Sequence, residues 1–255
     1  MRRLEHRSGA DIGLAPKEIV TITLDQILSD PPLLHHDGSG AATSYRLGDE
    51  VLRFIDANVV AGSRTLETGA GLSTVLFALR GAEHVCVSPD TPVHDQIRAF
   101  CAARGISLER VTFKEGFSQD VLPDLERTPL DLVLIDGGHG FPIPFLDWAY
   151  TADRLQVDGH LIIDDINLWT GDVLKRFVSA EPEWQLVKKF GEQSVAFRKL
   201  VMGNCLKEFL FQPFVVRAST RGDWRGRFNR GIAMLARGDL VTFRERVGEY
   251  LLKRP

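Results

Sequence analysis

Between residues 63 and 164, short apolar runs alternate with stretches of helical periodicity. Five runs are rich in β-branched and aliphatic residues, and they read SRTLE, HVCVS, VTFKE, LDLVLID and GHLIID. Apolar strands that alternate with helices are typical of a parallel sheet covered on both faces. The predicted crossover helices span residues 73–80, 93–104, 141–155 and 172–180. The pattern therefore predicts an α/β fold built on a parallel sheet.

The flanking sequence extends this sheet and divides the chain. Two β-rich runs, residues 184–190 and 194–200, are separated by Gly191, Glu192 and Gln193, which predicts an antiparallel hairpin. Ahead of the strands, an apolar stripe predicts a helix within residues 44–60. We therefore expect an N-terminal extension or lid over residues 1–43, a main domain over 44–199 and a basic helical extension over 200–255.

The two extensions have their own sequence character. The segment SDPPLLHHDGSGAATS, residues 29–44, is rich in helix-breaking residues and predicts a loop or lid. Near the other end, RGDWRGRFNRG predicts a linker, followed by one or two amphipathic helices within residues 232–252.

Composition indicates an ordinary soluble protein. The 255 residues are 44% hydrophobic and 25% charged, which excludes collagen-like, coiled-coil and wholly disordered chains. No apolar run reaches the length of a membrane span and no signal peptide is recognisable, so we expect a cytoplasmic protein. The cysteines Cys86, Cys101 and Cys205 lack a CxxC spacing, which predicts buried thiols.

Charge is distributed unevenly along the chain. Residues 1–199 have a formal net charge of −9, and residues 200–255 have one of +6. A basic segment can contact RNA, an anionic substrate or a membrane surface. The favoured interpretation is a solvated helical face packed on an acidic body, so a nucleic-acid partner is not expected.

The segment TLETGAGLSTVLFAL, residues 65–79, carries the first chemical signal. A strand leads into a turn containing Gly69, Ala70 and Gly71, and a helix begins near Ser73. Glycine allows a close approach of backbone to ligand, and a helix N-terminus offers free N–H groups. Thr74 occupies the third glycine position of a dinucleotide fingerprint, and no GK[ST] follows, so both dinucleotide and phosphate-loop motifs are excluded.

Glu67 followed by this G-x-G turn, together with LDLVLIDGGH and DGHLIIDD, resembles the class I S-adenosylmethionine-dependent methyltransferases over residues 44–199. The resemblance implies a Rossmann-like, doubly wound, seven-stranded sheet that is mostly parallel and closed by a C-terminal antiparallel hairpin. It also implies S-adenosylmethionine as the cofactor, with its methionine part surrounded by the first motif. The residues so assigned are Glu67, Gly69, Ala70, Gly71 and Ser73.

The same resemblance assigns the rest of the cofactor. The family usually has an acid at the end of the second strand to hold the ribose, but Ser88 stands there and Asp90 follows two residues later. Either Asp90 reaches the ribose or Ser88 replaces it; alternatively, Asp90 only caps the next helix. Phe117 and Ser118, after Gly116, are expected beside the adenine.

Acidic residues follow the fourth and fifth predicted strands. Asp136, Asp164 and Asp165 should meet at the carboxyl edge of the sheet, where their charges would repel one another unless a cation lies among them. The pattern resembles the catechol-type O-methyltransferases, which implies Mg²⁺ or another divalent cation on these residues, with Asp165 in place of an asparagine. The alternative is that Asp165 caps a helix and Asp136 contacts cofactor or substrate directly.

His139 lies three residues after Asp136, where the catechol-type enzymes carry a lysine base. A neutral histidine can take a hydroxyl proton, and Asp147 either orients the imidazole or is a solvated helical acid. His35 and His36 in the N-terminal loop either cover the site or are simply exposed, and exposure is favoured. Together these features predict methyl transfer to a hydroxyl group of a small molecule, with Asp136 and His139 catalytic.

Two other functions remain open from the sequence. A catalytically silent cofactor-binding subunit would share the fold, and an RNA methyltransferase would use the basic tail. The sequence lacks the NPPY-type signature of amino-group modifiers, which argues against the second. Neither the acceptor nor the formation of a homo-oligomer follows from the sequence.

Overall fold

A computed structural model describes residues 22–36, 38–203 and 206–219. Its strands are β1 His35–His36, β2 Ala42–Thr43, β3 Arg64–Thr68, β4 Glu83–Ser88, β5 Val111–Glu115, β6 Leu130–Ile135, β7 Leu155–Ile163, β8 Trp184–Phe190 and β9 Ser194–Lys199. Its helices are α1 Leu24–Ser29, α2 Asp49–Asn58, α3 Leu72–Leu79, α4 Thr91–Arg104, α5 Ser118–Val121, α6 Ile143–Thr151 and α7 Trp169–Val178. Short 3₁₀ turns cover Leu122–Asp124 and Phe209–Phe211, and residues 213–219 are helical.

Seven strands form one twisted sheet in the order β5-β4-β3-β6-β7-β9-β8. Strands β3 to β7 run parallel to one another, while β9 is antiparallel to both β7 and β8. The predicted fold class, including the C-terminal hairpin, is confirmed. The strand order reverses between β3 and β6, and ligands of open α/β sheets bind where this happens, outside the carboxyl ends of the strands.

The sheet is buried because successive residues of its central strands pack into two different cores. In β6, Leu132 and Leu134 point into the core shared with α1 to α4, while Val133 and Ile135 point into the core shared with α6 and α7. All four side chains are buried. Covering both faces leaves the strand ends as the accessible parts of the sheet centre.

Element boundaries differ from the predicted ones at the start of β7. Helix α6 ends at Thr151, four residues earlier than predicted, and β7 begins at Leu155. The pairing of β6 with β7 shifts register between Leu130 and Leu132, close to Asp131, whose carboxylate accepts from the backbone N–H of Arg64 at 2.8 Å. The strand pairing and this hydrogen bond favour a strand from Leu155 onwards, although residues 141–155 have helical periodicity throughout.

The N-terminal segment contains more structure than the predicted loop. Helix α1 begins with a capping box in which Thr23 and Gln26 satisfy each other's backbone N–H groups. Residues 31–47, which we call the N-terminal strap, contain the short β1–β2 pair. Strap residue Leu34 is buried in the same core as α2.

Several predictions lie outside the described residues: Cys205, the linker at 221–231 and the helices within 232–252. Cys86 and Cys101 are buried, as expected. Among the described helices, none combines the length and apolar character that crossing a membrane requires.

Candidate active site

A cavity of about 590 Å³ opens at the carboxyl ends of the central strands. This volume is in the range of small-molecule sites. The residues that line the cavity come from four loops and from the strap: His35, Thr68, Gly69, Ala70, Val87, Ser88, Pro89, Asp90, Val93, Phe117, Ser118, Gln119, Asp136, Gly137, Gly138, His139 and Ile143. The structure thus brings most of the predicted site residues to one place.

The glycine turn after β3 depends on Gly69 more than on Gly71. Gly69 has a φ of +96°, and a Cβ at this position would collide with the backbone carbonyl of Asp136. Gly71 has an extended φ of 178°, and a Cβ there would lie 3.5 Å from the His35 ring, an ordinary contact. Gly69 therefore allows the ends of β3 and β6 to approach closely, which shapes the cavity floor.

Glu67 lies behind this turn instead of facing the cavity. Its carboxylate is buried and accepts hydrogen bonds from Ser73 Oγ at 2.6 Å, from the Thr74 hydroxyl and from His84 Nε2 at 3.1 Å. Neither Glu67 nor Ser73 lines the cavity, and Gly71 lies beyond its wall against His35. The network ties β3, β4 and the start of α3 together, so these residues support the turn from behind.

Ser88 and Asp90 both face the cavity after β4. Ser88 is buried, and its hydroxyl accepts from the backbone N–H of Asp90 at 3.2 Å. Asp90 caps α4, because its Oδ1 accepts from the backbone N–H of Val93 at 3.2 Å. The cap uses one carboxylate oxygen, so Asp90 can both cap the helix and offer its other oxygen to a ligand.

The loop after β5 supplies the more apolar end of the cavity. Phe117 is largely exposed, whereas Ser118 is buried at the start of α5, and both line the cavity near Val87 and Val93. Asp147 of α6 lies close to the Ser118 and Thr68 hydroxyls, which lower its pKa in part, while burial raises it above its ordinary value. Asp147 is thus neither solvated nor paired with His139, and both predicted roles for it are wrong.

Asp136, Asp164 and Asp165 converge beside the cavity, with oxygen atoms within 4.8 Å of one another. Burial and the Asp164 carboxylate raise the pKa of Asp136 well above its ordinary value. Burial also raises the pKa of Asp164, although the hydroxyl of Ser194 donates to its carboxylate and offsets part of the effect. Hard divalent cations bind such oxygen clusters, so the donor set fits Mg²⁺.

Asp165 has an unusual backbone conformation, with a φ of 51°. Asp and Asn adopt this left-handed region more readily than most residues. Gly171 of α7 approaches so closely that a Cβ would collide with the carbonyl of Asp165. The position therefore favours a short acidic or amide side chain for backbone reasons as well as chemical ones.

His139 is held against Asp165 at the mouth of the cavity. Its Nδ1 lies 3.2 Å from Asp165 Oδ2, and its backbone carbonyl accepts from the Thr170 hydroxyl at 2.6 Å. A carboxylate can only accept, so this contact favours the neutral tautomer with the proton on Nδ1, in which Nε2 is the acceptor nitrogen. The orienting acid is thus Asp165, where the sequence suggested Asp147.

His35 is part of the cavity wall, so the favoured prediction that it is simply exposed is wrong and the alternative, that it covers the site, fits its position. It lines the cavity, its Nε2 lies 3.1 Å from the carbonyl oxygen of Ala70, and its ring packs edge-on against Tyr45. His36 is exposed, as expected. The sequence gives no periodic signal for His35, because the strap reaches the glycine turn only through tertiary folding.

Comparisons with known proteins agree with this geometry. Residues 66–166 match the family model described as a methyltransferase domain. A search of the curated proteins finds no match.

Solved structures with this fold include three examples at low sequence identity. One is the O-methyltransferase TomG from Streptomyces achromogenes in complex with SAM, with 14% identity, a TM-score of 0.57 and coverage of 71% of this chain and 93% of TomG. A second is cofactor-bound Rv0187 from MTB, with 16% identity, a TM-score of 0.51 and coverage of 61% and 82%. The third is the O-methyltransferase NovP, with 15% identity, a TM-score of 0.50 and coverage of 60% and 79%.

The family match covers β3 to the loop after β7, which includes the glycine turn, the acidic cluster and His139. Residues 66–166 of the chain are thus similar to a methyltransferase domain, and the chain shares its fold with solved methyltransferase structures.

Proposed function

We propose that this protein transfers a methyl group from S-adenosylmethionine to a hydroxyl group of a small molecule. The observation that supports this most strongly is the His139–Asp165 pair, in which His139 lines the cavity and Asp165 belongs to the acidic cluster. A base oriented by a carboxylate can remove the proton of an alcohol or phenol, and a neighbouring cation can stabilise the resulting oxyanion.

The cavity residues fit the cofactor in three parts. The turn at Gly69 and Ala70 accommodates the methionine end, because backbone can approach a ligand closely there. Ser88 and Asp90 offer oxygen acceptors to the ribose hydroxyls, and Phe117 and Ser118 flank the adenine. When bound, S-adenosylmethionine supplies a methyl group on a sulfonium, whose carbon–sulfur bond breaks as the new carbon–oxygen bond forms.

The residues around His139 handle the acceptor proton. His139 Nε2 receives the hydroxyl proton, and Asp165 stabilises the resulting imidazolium through Nδ1. Asp136 faces the cavity next to this pair and contributes to positioning the reacting groups. Holding donor and acceptor in line supplies much of the rate enhancement in a direct displacement.

A divalent cation would be held by Asp136, Asp164 and Asp165. Its chemistry there would be to lower the pKa of the acceptor hydroxyl and to relieve the repulsion among the three carboxylates. The side chains that converge are all oxygen donors, as Mg²⁺ prefers.

Two aromatic side chains lie close in sequence to His139 and Asp165. Phe141, on the loop that carries His139, and Trp169, the first residue of α7, are both largely exposed, and their ring centroids lie 6.1 Å apart. Exposed aromatic side chains next to a polar site favour a partly apolar acceptor molecule. We therefore expect the hydroxyl to be carried by a small molecule with an apolar body.

The test is a methyl-transfer assay with the purified full chain and a panel of small hydroxyl compounds, read by mass spectrometry. We predict that an accepted compound gains one methyl group and that His139→Ala lowers turnover by ~10²- to 10⁴-fold, the usual contribution of a positioned base. The exposed neighbour of His35, changed as His36→Ala, is the control and should keep full turnover. Equal activity of the His139→Ala and parent proteins would remove His139 from the mechanism.

A further inference from the structure

Exposed apolar side chains are concentrated at the edge of the sheet opposite the candidate active site. Strand β9, which is antiparallel to β7, ends at this edge with Lys199, and residues 200–203 and 206–211, which we call the apolar segment, follow it. Clustered apolar side chains on a surface, unlike scattered ones, mark an interaction site. Those of the apolar segment that are between 49% and 69% exposed are Val201, Met202, Leu206, Phe209, Leu210 and Phe211.

Polar contacts hold the apolar segment against the body of the protein. Lys207 Nζ lies 3.2 Å from Glu181 Oε2 and 2.6 Å from Glu183 Oε1, and both acids directly precede β8. The backbone N–H of Leu200 donates to the carbonyl of Glu183 at 2.8 Å. The segment is therefore attached at the start of β8 while most of its large apolar side chains remain exposed.

A second cavity, of about 470 Å³, opens at the same edge. Its wall comes from the loop before β6, which carries Arg127, and from the region where β7 begins, which carries Arg154 and Val157. Met202 of the apolar segment also lines it. The cavity and the apolar segment thus adjoin, and we call the two together the basal surface.

The two arginines give this cavity an excess of positive charge. Arg154 is buried, and its guanidinium donates to the carbonyl oxygen of Thr128 at 3.2 Å and to the Thr128 hydroxyl at 3.4 Å. Burial, followed by the charge of Arg127, lowers the pKa of Arg154. Asp153 is the acid among the described residues of the wall. An anionic group in the cavity would accept hydrogen bonds from the guanidinium groups and relieve their repulsion.

The charge of the chain narrows the choice of partner. Residues 200–255, which begin at the basal surface, have a formal net charge of +6. A second copy of this chain docked symmetrically on the same surface would bring these positive charges together, which is unfavourable. Apolar side chains next to basic residues are instead the combination that binds anionic membranes, because the apolar groups enter the headgroup layer and the cations meet the lipid charges.

We propose that the basal surface docks this protein on a membrane that contains anionic lipids. Phe209–Phe211 enter the headgroup layer, and Arg127 and Arg154 bind the anionic part of a lipid headgroup. Because the candidate active site lies at the other edge of the sheet, docking leaves its cavity open to the aqueous phase. The docking does not depend on the proposed methyl transfer.

The test is flotation of the full chain with vesicles of phosphatidylcholine alone or with about 30% phosphatidylserine. We expect at least about tenfold stronger partition onto the anionic vesicles, lost at about 0.5 M salt. Combining Leu210→Ser with Phe211→Ser should weaken this partition at least about tenfold, and Arg127→Gln about threefold or more. The controls are Leu33→Ser in the strap and Arg53→Gln in α2, also exposed, which should keep the parent partition.

The substituted side chains of the test variants are exposed, so the variants should keep the parent circular dichroism spectrum. Equal partition of the parent protein onto both kinds of vesicle would overturn the proposal. Parent-like partition of the serine double variant or of Arg127→Gln would also overturn it, because the basal surface would then not be the docking surface. A parent dimer that ignores vesicles and becomes monomeric in the double variant, measured by gel filtration, would assign the surface to a second copy and overturn membrane docking.

Discussion

Gly69 and Gly71 belong to one motif, yet the structure gives them different roles. Only Gly69 combines a left-handed φ with a close backbone neighbour, the carbonyl of Asp136. Gly71 is extended and faces the strap through His35. The glycine motif therefore allows the end of β3 to pack closely against the end of β6, and this packing forms the surface that would bind the ligand.

We predict that Gly69→Ala lowers the free energy of unfolding by about 2 kcal/mol or more, because the side chain adds strain and a backbone collision. Gly71→Ala is the matched control and should change stability by less than about 0.5 kcal/mol. Urea denaturation followed by circular dichroism measures both. Equal stability of the two variants would contradict the role assigned to Gly69.

Asp136 should reduce stability in the absence of metal. Its pKa is raised in the folded state, mainly by burial and then by the neighbouring carboxylates, so its ionised form is disfavoured there. The stability linked to this group is fully present below its ordinary pKa of about 3.9 and is lost as the pH rises through the raised folded-state pKa.

We therefore predict that Asp136→Asn raises the free energy of unfolding at pH 7, in the presence of a chelator, by about 1 to 2 kcal/mol. The gain over the parent protein should shrink as the pH falls and nearly disappear close to pH 4, where the parent carboxyl is protonated. Denaturation curves of both proteins across this pH range provide the measurement. A gain that is constant with pH would mean that the charge of Asp136 is not its cause.

At the scale of elements, the sheet could be predicted because buried strands leave a strong apolar pattern. The five runs of the central sheet were identifiable because they alternate with helical segments, and the final hairpin because a clear turn separates its two strands. Helix α1 and helix α5 were not, because one is six residues long and the other four, too short for a periodic signal.

The site was less predictable than the sheet, for a physical reason. Strand ends locate Asp136, Asp164 and Asp165, because parallel strands share one carboxyl edge. Contacts between distant segments leave no such pattern in the sequence. The pairing of His139 with Asp165 and the position of His35 could therefore be found only from the structure. Asp147 did leave a signal: it is an acid three residues from Pro144 and one from Trp148 on the buried face of α6.

The convergence of the ends of β6 and β7 predicts a response to metal. Adding Mg²⁺ should raise the melting temperature by a few degrees, because binding to the folded state alone stabilises it. Asp164→Asn should abolish most of this rise, whereas the exposed control Asp120→Asn should keep it. Differential scanning fluorimetry with and without chelator measures the difference. A melting temperature that does not change on addition of Mg²⁺ would contradict a cation site at Asp136, Asp164 and Asp165.

For the molecule as a whole, the strand order determines where chemistry takes place. The reversal between β3 and β6 opens one cavity, and the glycine turn, the acidic cluster, the buried serines and the strap all meet there. Because the two cores cover both faces of the sheet, this edge is where the central strands can reach a ligand. The proposed function therefore requires that this cavity binds the cofactor.

Calorimetric titration of the full chain with S-adenosylhomocysteine tests that claim most directly. Ala70 lines the cavity, whereas Ala61 is exposed in the turn before β3, at the opposite edge of the sheet. We predict one binding site per chain in the parent protein. Binding should be at least about tenfold weaker in Ala70→Leu, because the substitution adds bulk to the glycine turn that lines the cavity, and parent-like in Ala61→Leu. An absence of binding by the parent protein, or parent-like affinity in a folded Ala70→Leu variant, would contradict the account.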